Sequence, residues 1–533
     1  MKKLFIALFA LIMIFALFSC EETPSHDHFH CGETVEPTCK EKGYTVYTCE
    51  CGDTYIEECG EPTGECLYES HITHEATLTE PGYYEYICTW CKESKTEIFM
   101  DPLVPTEGFI YELNEDGTGY VIVGTEEGYD HNDNIVIPEY YEELPVVEIA
   151  EGVELGGPTR FFIFDNLVKI APSSLSSYVR SYFVSENNPA YCSLDGVLYS
   201  KDMKTLVKFA EGGTGDGADV FLEYTVPETV EAIGDYAFNS SDYDGAFYLT
   251  KITFGANVKT VGESAFEGCR SLISAELNEG LVSIGNKAFN ACENLSSIKL
   301  PTSLESVGNE AFAYNKALTS IHFPQNVKNI GEKALLECVS LINISVSNDN
   351  ETYYGTNGVL YTKDRKAILA YPAGKPDKRY VVPNEVETVS AYAFYYAQHL
   401  KELVISNSLH TIEEKAFEGC ILLESIEFSD SLRTIAAYAF RGCISLNSVV
   451  LGSNVEYVGE YSFYQCRQLA QVYIPKSVTY LGGCAFGEIM VPVEATYEGS
   501  DADWGNITFD VAHPFFGSSN VKIIFLGDAQ NEE

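Results

Sequence analysis

Basic residues are scarce in this chain. It carries 33 Lys and Arg against 79 Asp and Glu, a formal net charge of −46. Such a surface repels nucleic acid and anionic lipid, so neither is expected as a ligand. The acids are spread along the whole length with no acidic tail, which reads as a solvated surface suited to solubility, cations or a basic partner. Tryptophan is nearly absent, with 2 among 533 residues. A polysaccharide binder would be expected to line its groove with aromatics, so this weighs against glycan handling. Beyond residue 18 no stretch is apolar enough to cross a bilayer. No Gly-x-Ser-x-Gly elbow, His-Glu-x-x-His pair or Walker-type loop occurs. Adjacent acids such as Glu413-Glu414 carry no information in so acidic a chain. These absences move the expectation from catalysis toward binding, and no catalytic residue is assigned.

What is present begins with the leader. Met1-Lys2-Lys3 is a short basic segment, and residues 4–18 are a continuous apolar run. The run is too short to span a membrane comfortably and fits a secretory signal. It ends in Leu17-Phe18-Ser19-Cys20, which resembles a bacterial lipobox. The resemblance implies cleavage before Cys20 and lipidation of that Cys, so 1–20 is a lipoprotein signal peptide. Acyl chains at about 0.8 kcal/mol per buried methylene would hold the protein on a membrane durably. The expected location is extracytoplasmic, lipid-anchored and on the cell surface, with the membrane touched through that anchor alone.

Residues 21–104 form a Cys- and His-rich tether with two copies of one unit. The first runs from Glu36-Pro37-Thr38 through Cys49-Glu50-Cys51, the second from Glu75-Ala76-Thr77 through Cys88-Thr89-Trp90-Cys91. Tyr44 to Cys49 and Tyr83 to Cys88 alternate as strands do, so each unit reads as a small hairpin. Units this small need staples. Eight cysteines lie between 31 and 91. Outside the cytoplasm they suit disulfides, while Cys88-x2-Cys91 and the tighter Cys49-x-Cys51 suit zinc, so both readings stand. His26-x-His28-x-His30 is read as a flexible linker that also offers metal ligands. No other cofactor is expected.

The strongest signal is a beat of 23 residues. Phe266, Phe289 and Phe312 are 23 apart, one more step lands on Leu335, and the beat resumes through Phe394, Phe417, Phe440, Phe463 and Phe486. A fixed period of about 20–29 residues means stacked coils. In residues 294–300, Ile298 and Leu300 alternate with polar neighbours, so this is a half-buried strand that Pro301 ends. Leu304 and Val307 point inward, Gly308 supplies a turn that a side chain would strain, and Ala311-Phe312 opens a short turn or helical segment. Each Phe is expected to stack on that of the next coil. Cys269, Cys292, Cys338, Cys420, Cys443 and Cys466 follow three residues after the marker, as small buried apolar groups. Parallel side-chain directions disfavour disulfides between neighbouring coils.

The phrase Ile-Gly-x-x-Ala-Phe-x-x-Cys-x-x-Leu-x-x-Ile-x-Leu-Pro, clearest at 284–301, resembles the BspA-like leucine-rich repeats of bacterial surface proteins. The resemblance spans roughly 106–530 and implies a curved solenoid with a parallel sheet on one face. It also implies adhesion, with a host matrix or bacterial surface protein as partner. Two departures, Leu175 and Leu335, precede matching insertions at Tyr191–Phe209 and Tyr353–Pro372. Each reads as a hairpin that is either a protruding binding edge or a cover for its Leu-bearing coil. Phe109–Val123 resembles an N-terminal cap, and Tyr497–Ser500 with Trp504 a C-terminal one. The expected architecture is thus a repeat solenoid at 105–495, with β-hairpin insertions, an N-terminal cap and a C-terminal cap at 496–533, behind a small Cys-rich β region.

Function is then expected on the surface of that solenoid. Ser297 and Lys299, Ser320 and His322, Glu402 and Val404, Ser425 and Glu427, Ser448 and Val450, Gln471 and Tyr473 flank inward positions and form columns. Val404, Glu427, Val450 and Tyr473 are the candidate ligand-binding residues, because apolar groups on an exposed column mark interaction sites. A surface glycan-handling accessory or enzyme, or a purely structural spacer, are the alternatives. The acidic loops at 130–134 and 241–245 read as Ca²⁺ ligands or as plain solvated turns.

Overall fold

In a computed structural model, the described residues are 20–22, 29–36, 40–49, 54–64, 66–68, 71–74, 77, 80–100, 102–127, 129, 134–153, 155, 159–175, 179–210, 222–239 and 248–529. Contacts divide the chain into two compact units, 1–105 and 106–533.

The first unit holds two antiparallel sheets. Phe29–Val35, Gly43–Cys49 and Thr54–Gly60 follow one another in the first, with Cys20–Glu22 added at its edge. His71–His74, Gly82–Ile87 and Ser94–Met100 make the second. Each repeat is therefore a three-stranded meander, one strand more than the expected hairpin. Thr54–Gly60 and Ser94–Met100 lack clean alternation, which hid them. Among its described residues, the buried hydrophobic side chains are those of Cys88 and Leu103.

The second unit is a parallel β-solenoid whose coils are joined at three places. One sheet pairs residues 23 apart, such as Ser274 with Ser297 and Ser448 with Gln471. A second, built from two-residue strands, does the same: Ser283, Ser306 and Asn329 stand side by side, as do Thr411, Thr434, Tyr457 and Tyr480. At the third, the Phe289 N–H donates to Ala311 O at 2.8 Å and the Phe312 N–H to Ala334 O at 2.9 Å. One coil alone leaves its apolar side open, so stability comes from neighbours.

The marker phenylalanines stack inside. Ring centroids are 4.9 Å apart for Phe266–Phe289, 5.6 Å for Phe289–Phe312 and 5.0 Å for Phe417–Phe440. Each ring is fully buried, which stabilises by about 1.5–3 kcal/mol per side chain. Phe209 begins the first column, 4.7 Å from Phe238, and Tyr371 begins the second, 4.6 Å from Phe394. Phe515 ends the second, 5.3 Å from Phe486. Tyr371 keeps the count, 23 residues before Phe394, whereas Phe209 and Phe515 each stand 29 residues from their neighbour in the column and fall off it.

Glycine acts differently from the expectation. Gly308 is not in the left-handed region. Instead a Cβ there would sit 2.4 Å from Asn286 N and 2.5 Å from Gly285 C, so it permits close approach of successive coils. The left-handed residues flank the marker instead, two before it at Lys287, Glu310 and Lys333 (φ 52°, 54° and 56°) and two after it at Ala291, Tyr314 and Glu337 (φ 55°, 60° and 54°). The cysteines are buried, and their thiols donate to the marker carbonyl of the preceding coil, Cys292 to Phe266 O at 3.1 Å and Cys443 to Phe417 O at 3.3 Å. Asn315 takes the same place in its coil, its amide donating to Phe289 O at 3.0 Å.

Both insertions are three-stranded meanders: Tyr191–Leu194, Val197–Ser200 and Thr205–Lys208, then Tyr353–Thr356, Val359–Thr362 and Ala367–Ala370. The last strand of each joins the short-strand sheet in parallel. Tyr199 is wholly buried and Tyr361 nearly so. Their hydroxyls bond those of Tyr224 and Tyr380, the latter at 2.6 Å. The inserts thus turn Tyr199 and Tyr361 into the core and do not present them at a protruding edge. Phe109–Leu113 and Tyr120–Thr125 form the expected N-terminal hairpin. At the other end Tyr497, Trp504 and Phe525 pack edge to face, behind a Ser500/Asp503 capping box.

Candidate functional site

The C-terminal block presents one seven-stranded parallel sheet from Arg379–Val381 to Val521–Phe525. Alternation sends Leu403, Ile426, Val449 and Val472 into the core. Their neighbours face out in two hydrogen-bonded columns. Val381 stands beside Val404, and Glu402 beside Ser425, which brings Val404 into phase with Glu427. Glu427 stands beside Val450, Val450 beside Tyr473, and Tyr473 beside Thr496. The four candidate residues are thus successive members of one column. Val381 is 50% exposed and Val450 42%, while Val404 and Tyr473 are half-buried. The Glu427 side chain lies outside the described residues. Burial, with the Glu498 carboxylate, pushes the Tyr473 hydroxyl above its usual range.

The parallel column is polar: Arg379, Glu402, Ser425, Ser448, Gln471, Glu494 and Lys522. Ion pairs tie its ends, Arg379 to Glu402 at 2.8 Å and Lys522 to Glu494 at 3.9 Å. A largely apolar strip thus runs beside a polar one in regular 23-residue steps. Val381 escaped the sequence reading although it lies 23 residues before Val404; counting backwards would have found it.

A groove of about 790 Å³ opens at the seam between the two blocks, where Leu335 interrupts the ring columns. Leu336, Tyr353, Tyr392, Tyr395 and Glu413 line it. The Lys333 ammonium lies 4.7 Å from the centre of the Tyr392 ring. Nothing in the 23-residue pattern announces this groove beyond the Leu-for-Phe exchange.

In the first unit the metal candidates are only partly described. The Cys49 side chain and Cys51 lie outside the described residues, as do Met1–Ser19, the Cys20 side chain and the acidic loops at 130–133 and 241–245. Cys88 and Cys91 come together, joined by Cys66, with the three Sγ atoms within 4.8 Å of one another. A hydrogen bond from Thr89 N to Leu67 O, 3.0 Å, holds the Cys66 segment against the turn. Burial pushes the Cys88 thiol up, but hydrogen bonds from the Cys91 and Trp90 backbone outweigh it and leave it at about 6.

Residues 242–357 and 378–491 match the family model of the BspA type leucine rich repeat region in six copies. No curated protein matches the sequence. Among solved structures, the pneumococcal vaccine antigen PcpA is 21% identical, covers 79% of this chain and 98% of its own, with a TM-score of 0.51. A leucine rich cell surface protein from Faecalibacterium prausnitzii A2-165 is 22% identical over 78% of this chain and 99% of its own, with a TM-score of 0.48. A leucine-rich repeat protein from Eubacterium ventriosum ATCC 27560 is 24% identical over 57% and 87%, with a TM-score of 0.46. At 21% identity the likeness to PcpA speaks to fold alone. The 23-residue coils, their ring columns and the six matched copies show that the solenoid carries leucine-rich repeats of the BspA type.

Proposed function

We propose that the chain is a non-catalytic surface adhesin that binds a protein partner through the outward sheet of its C-terminal block. The observation that carries this reading is the column of Val381, Val404, Glu427, Val450 and Tyr473 held in register beside a charged one. Exposed apolar groups gathered in a line, with an aromatic among them, are what interface anchors look like. Host matrix proteins and bacterial surface proteins are the partner classes. The test is a Val450→Asp, Tyr473→Ala double variant, which should keep the parental circular dichroism because both positions flank the core. Binding to immobilised matrix and bacterial surface fractions should fall at least tenfold. Parental affinity in a folded variant refutes the site, and an unfolded variant refutes the outward assignment.

The reading includes a lipid anchor at Cys20, supported by the basic and apolar leader before it. Among the described residues no helix is long and apolar enough to cross a membrane. A Cys20→Ala variant should lose label from a fatty-acid analogue; equal labelling refutes the anchor. The Tyr-lined seam groove supports a second reading, glycan handling. Titration with oligosaccharides, with Tyr392→Ala and Tyr395→Ala as controls, separates the two.

A further inference from the structure

Zinc bound by three thiolates at about 2.3 Å in a tetrahedron places the sulfurs about 3.8 Å apart. In the first unit Cys66 Sγ and Cys91 Sγ are 3.6 Å apart, and Cys88 Sγ joins them within 4.8 Å. A disulfide needs about 2.05 Å and would join only two of the three sulfurs. The backbone builds this arrangement from two segments. Cys88 and Cys91 sit on one turn, closed by the Lys92 N–H donating to Cys88 O at 3.1 Å and the Cys88 N–H donating to Glu93 O at 2.8 Å. Lys92 is left-handed there, at φ 61°. Cys66 arrives from 22 residues earlier and is tied to the same turn through Leu67 O.

The unit also has need of such a staple. Among its described residues, Cys88 and Leu103 are the buried hydrophobic side chains, and two small antiparallel sheets cannot bury enough surface to hold themselves. We propose that Cys66, Cys88 and Cys91 hold a thiophilic divalent cation, zinc foremost, as a structural site in the N-terminal unit. Binding converts three thiols to metal-bound thiolates and releases their protons, with no change of oxidation state. Water or Glu93 completes the shell, the Glu93 Oε2 being 3.9 Å from Cys91 Sγ. This assignment is independent of the adhesive sheet.

The test uses the purified full chain. Elemental analysis of the parent against Cys66→Ser, Cys88→Ser and Cys91→Ser variants should show one zinc equivalent lost in each. Cobalt substitution of the parent should give the visible absorption of tetrahedral thiolate cobalt, weakened in every variant. A second measurement avoids variants altogether. Alkylation mapped by mass spectrometry should find Cys66, Cys88 and Cys91 protected together with zinc, and released together by a chelator. Cys420 and Cys443 in the solenoid should be protected in both conditions. Equal alkylation of Cys66 with and without chelator overturns the assignment. So does undiminished zinc in all three variants, or a disulfide-linked peptide joining any two of the three cysteines in protein purified without reductant.

Discussion

Lys208 is the residue whose place is hardest to foresee. It ends a strand of the first meander, is 2% exposed, and its Nζ donates to Tyr236 O at 2.8 Å. Burial lowers its pKa to about 8. The folded state then binds fewer protons than the unfolded chain between about pH 8 and 10.5, so this group's contribution rises with pH across that window. The full change is about 3 kcal/mol. Tyrosines raised by burial act in the opposite sense at higher pH, so the measurement is a difference. Denaturant titrations of parent and Lys208→Met at pH 7 and pH 10 should show the parent gaining on the variant by about 2–3 kcal/mol. No such gain would mean that the ammonium is solvated. A sequence cannot show a lysine like this, because nothing in Leu206-Val207-Lys208 says which alternate face closes over. The marker phenylalanines were legible for the opposite reason: a repeat prints the same burial many times. Gly308 lies between these cases. Its phase was legible, but its cause, a neighbouring coil 2.4 Å away, belongs to stacking that no single coil contains.

At the scale of elements, the strands of each coil and their inward residues were readable because period 2 within a strand and period 23 between strands reinforce each other. The meanders were readable as hairpins but not as parts of the sheet, since pairing of Ala367 with Thr388 is a tertiary fact. The candidate column followed from phase alone, whereas the seam groove depended on what the meander leaves uncovered. Leu335 lines that groove at a marker position, between Phe312 and the column begun by Tyr371. A Leu335→Phe variant should place a ring over Phe312 in existing space and gain about 0.5–1.5 kcal/mol. Equilibrium unfolding in denaturant checks this. A loss of stability would mean that the groove is already shaped around Leu335 and cannot accept a larger side chain.

For the whole molecule the governing fact is that each coil of the regular blocks is bonded to the next and to little else. The three ladders, at the broad sheet, the short-strand sheet and the marker carbonyls, run through the blocks, the broad sheet breaking once between Ser297–Ile298 and Ser320–Phe323. Stability in such a stack is a chain of nearest-neighbour terms. In the adhesive role proposed above, the solenoid is loaded when a partner holds one part and the cell the other. Tension on the two ends of the solenoid should peel coils singly from a terminus and not rupture the fold at once. Each released coil of 23 residues lengthens the tether by about 8 nm at full extension. A single-molecule force trace should therefore show a sawtooth with that increment, interrupted by a longer step where a meander lets go. The repeat that gives the sequence its beat would make the protein a shock absorber, one that yields in instalments and rewinds when the load is gone.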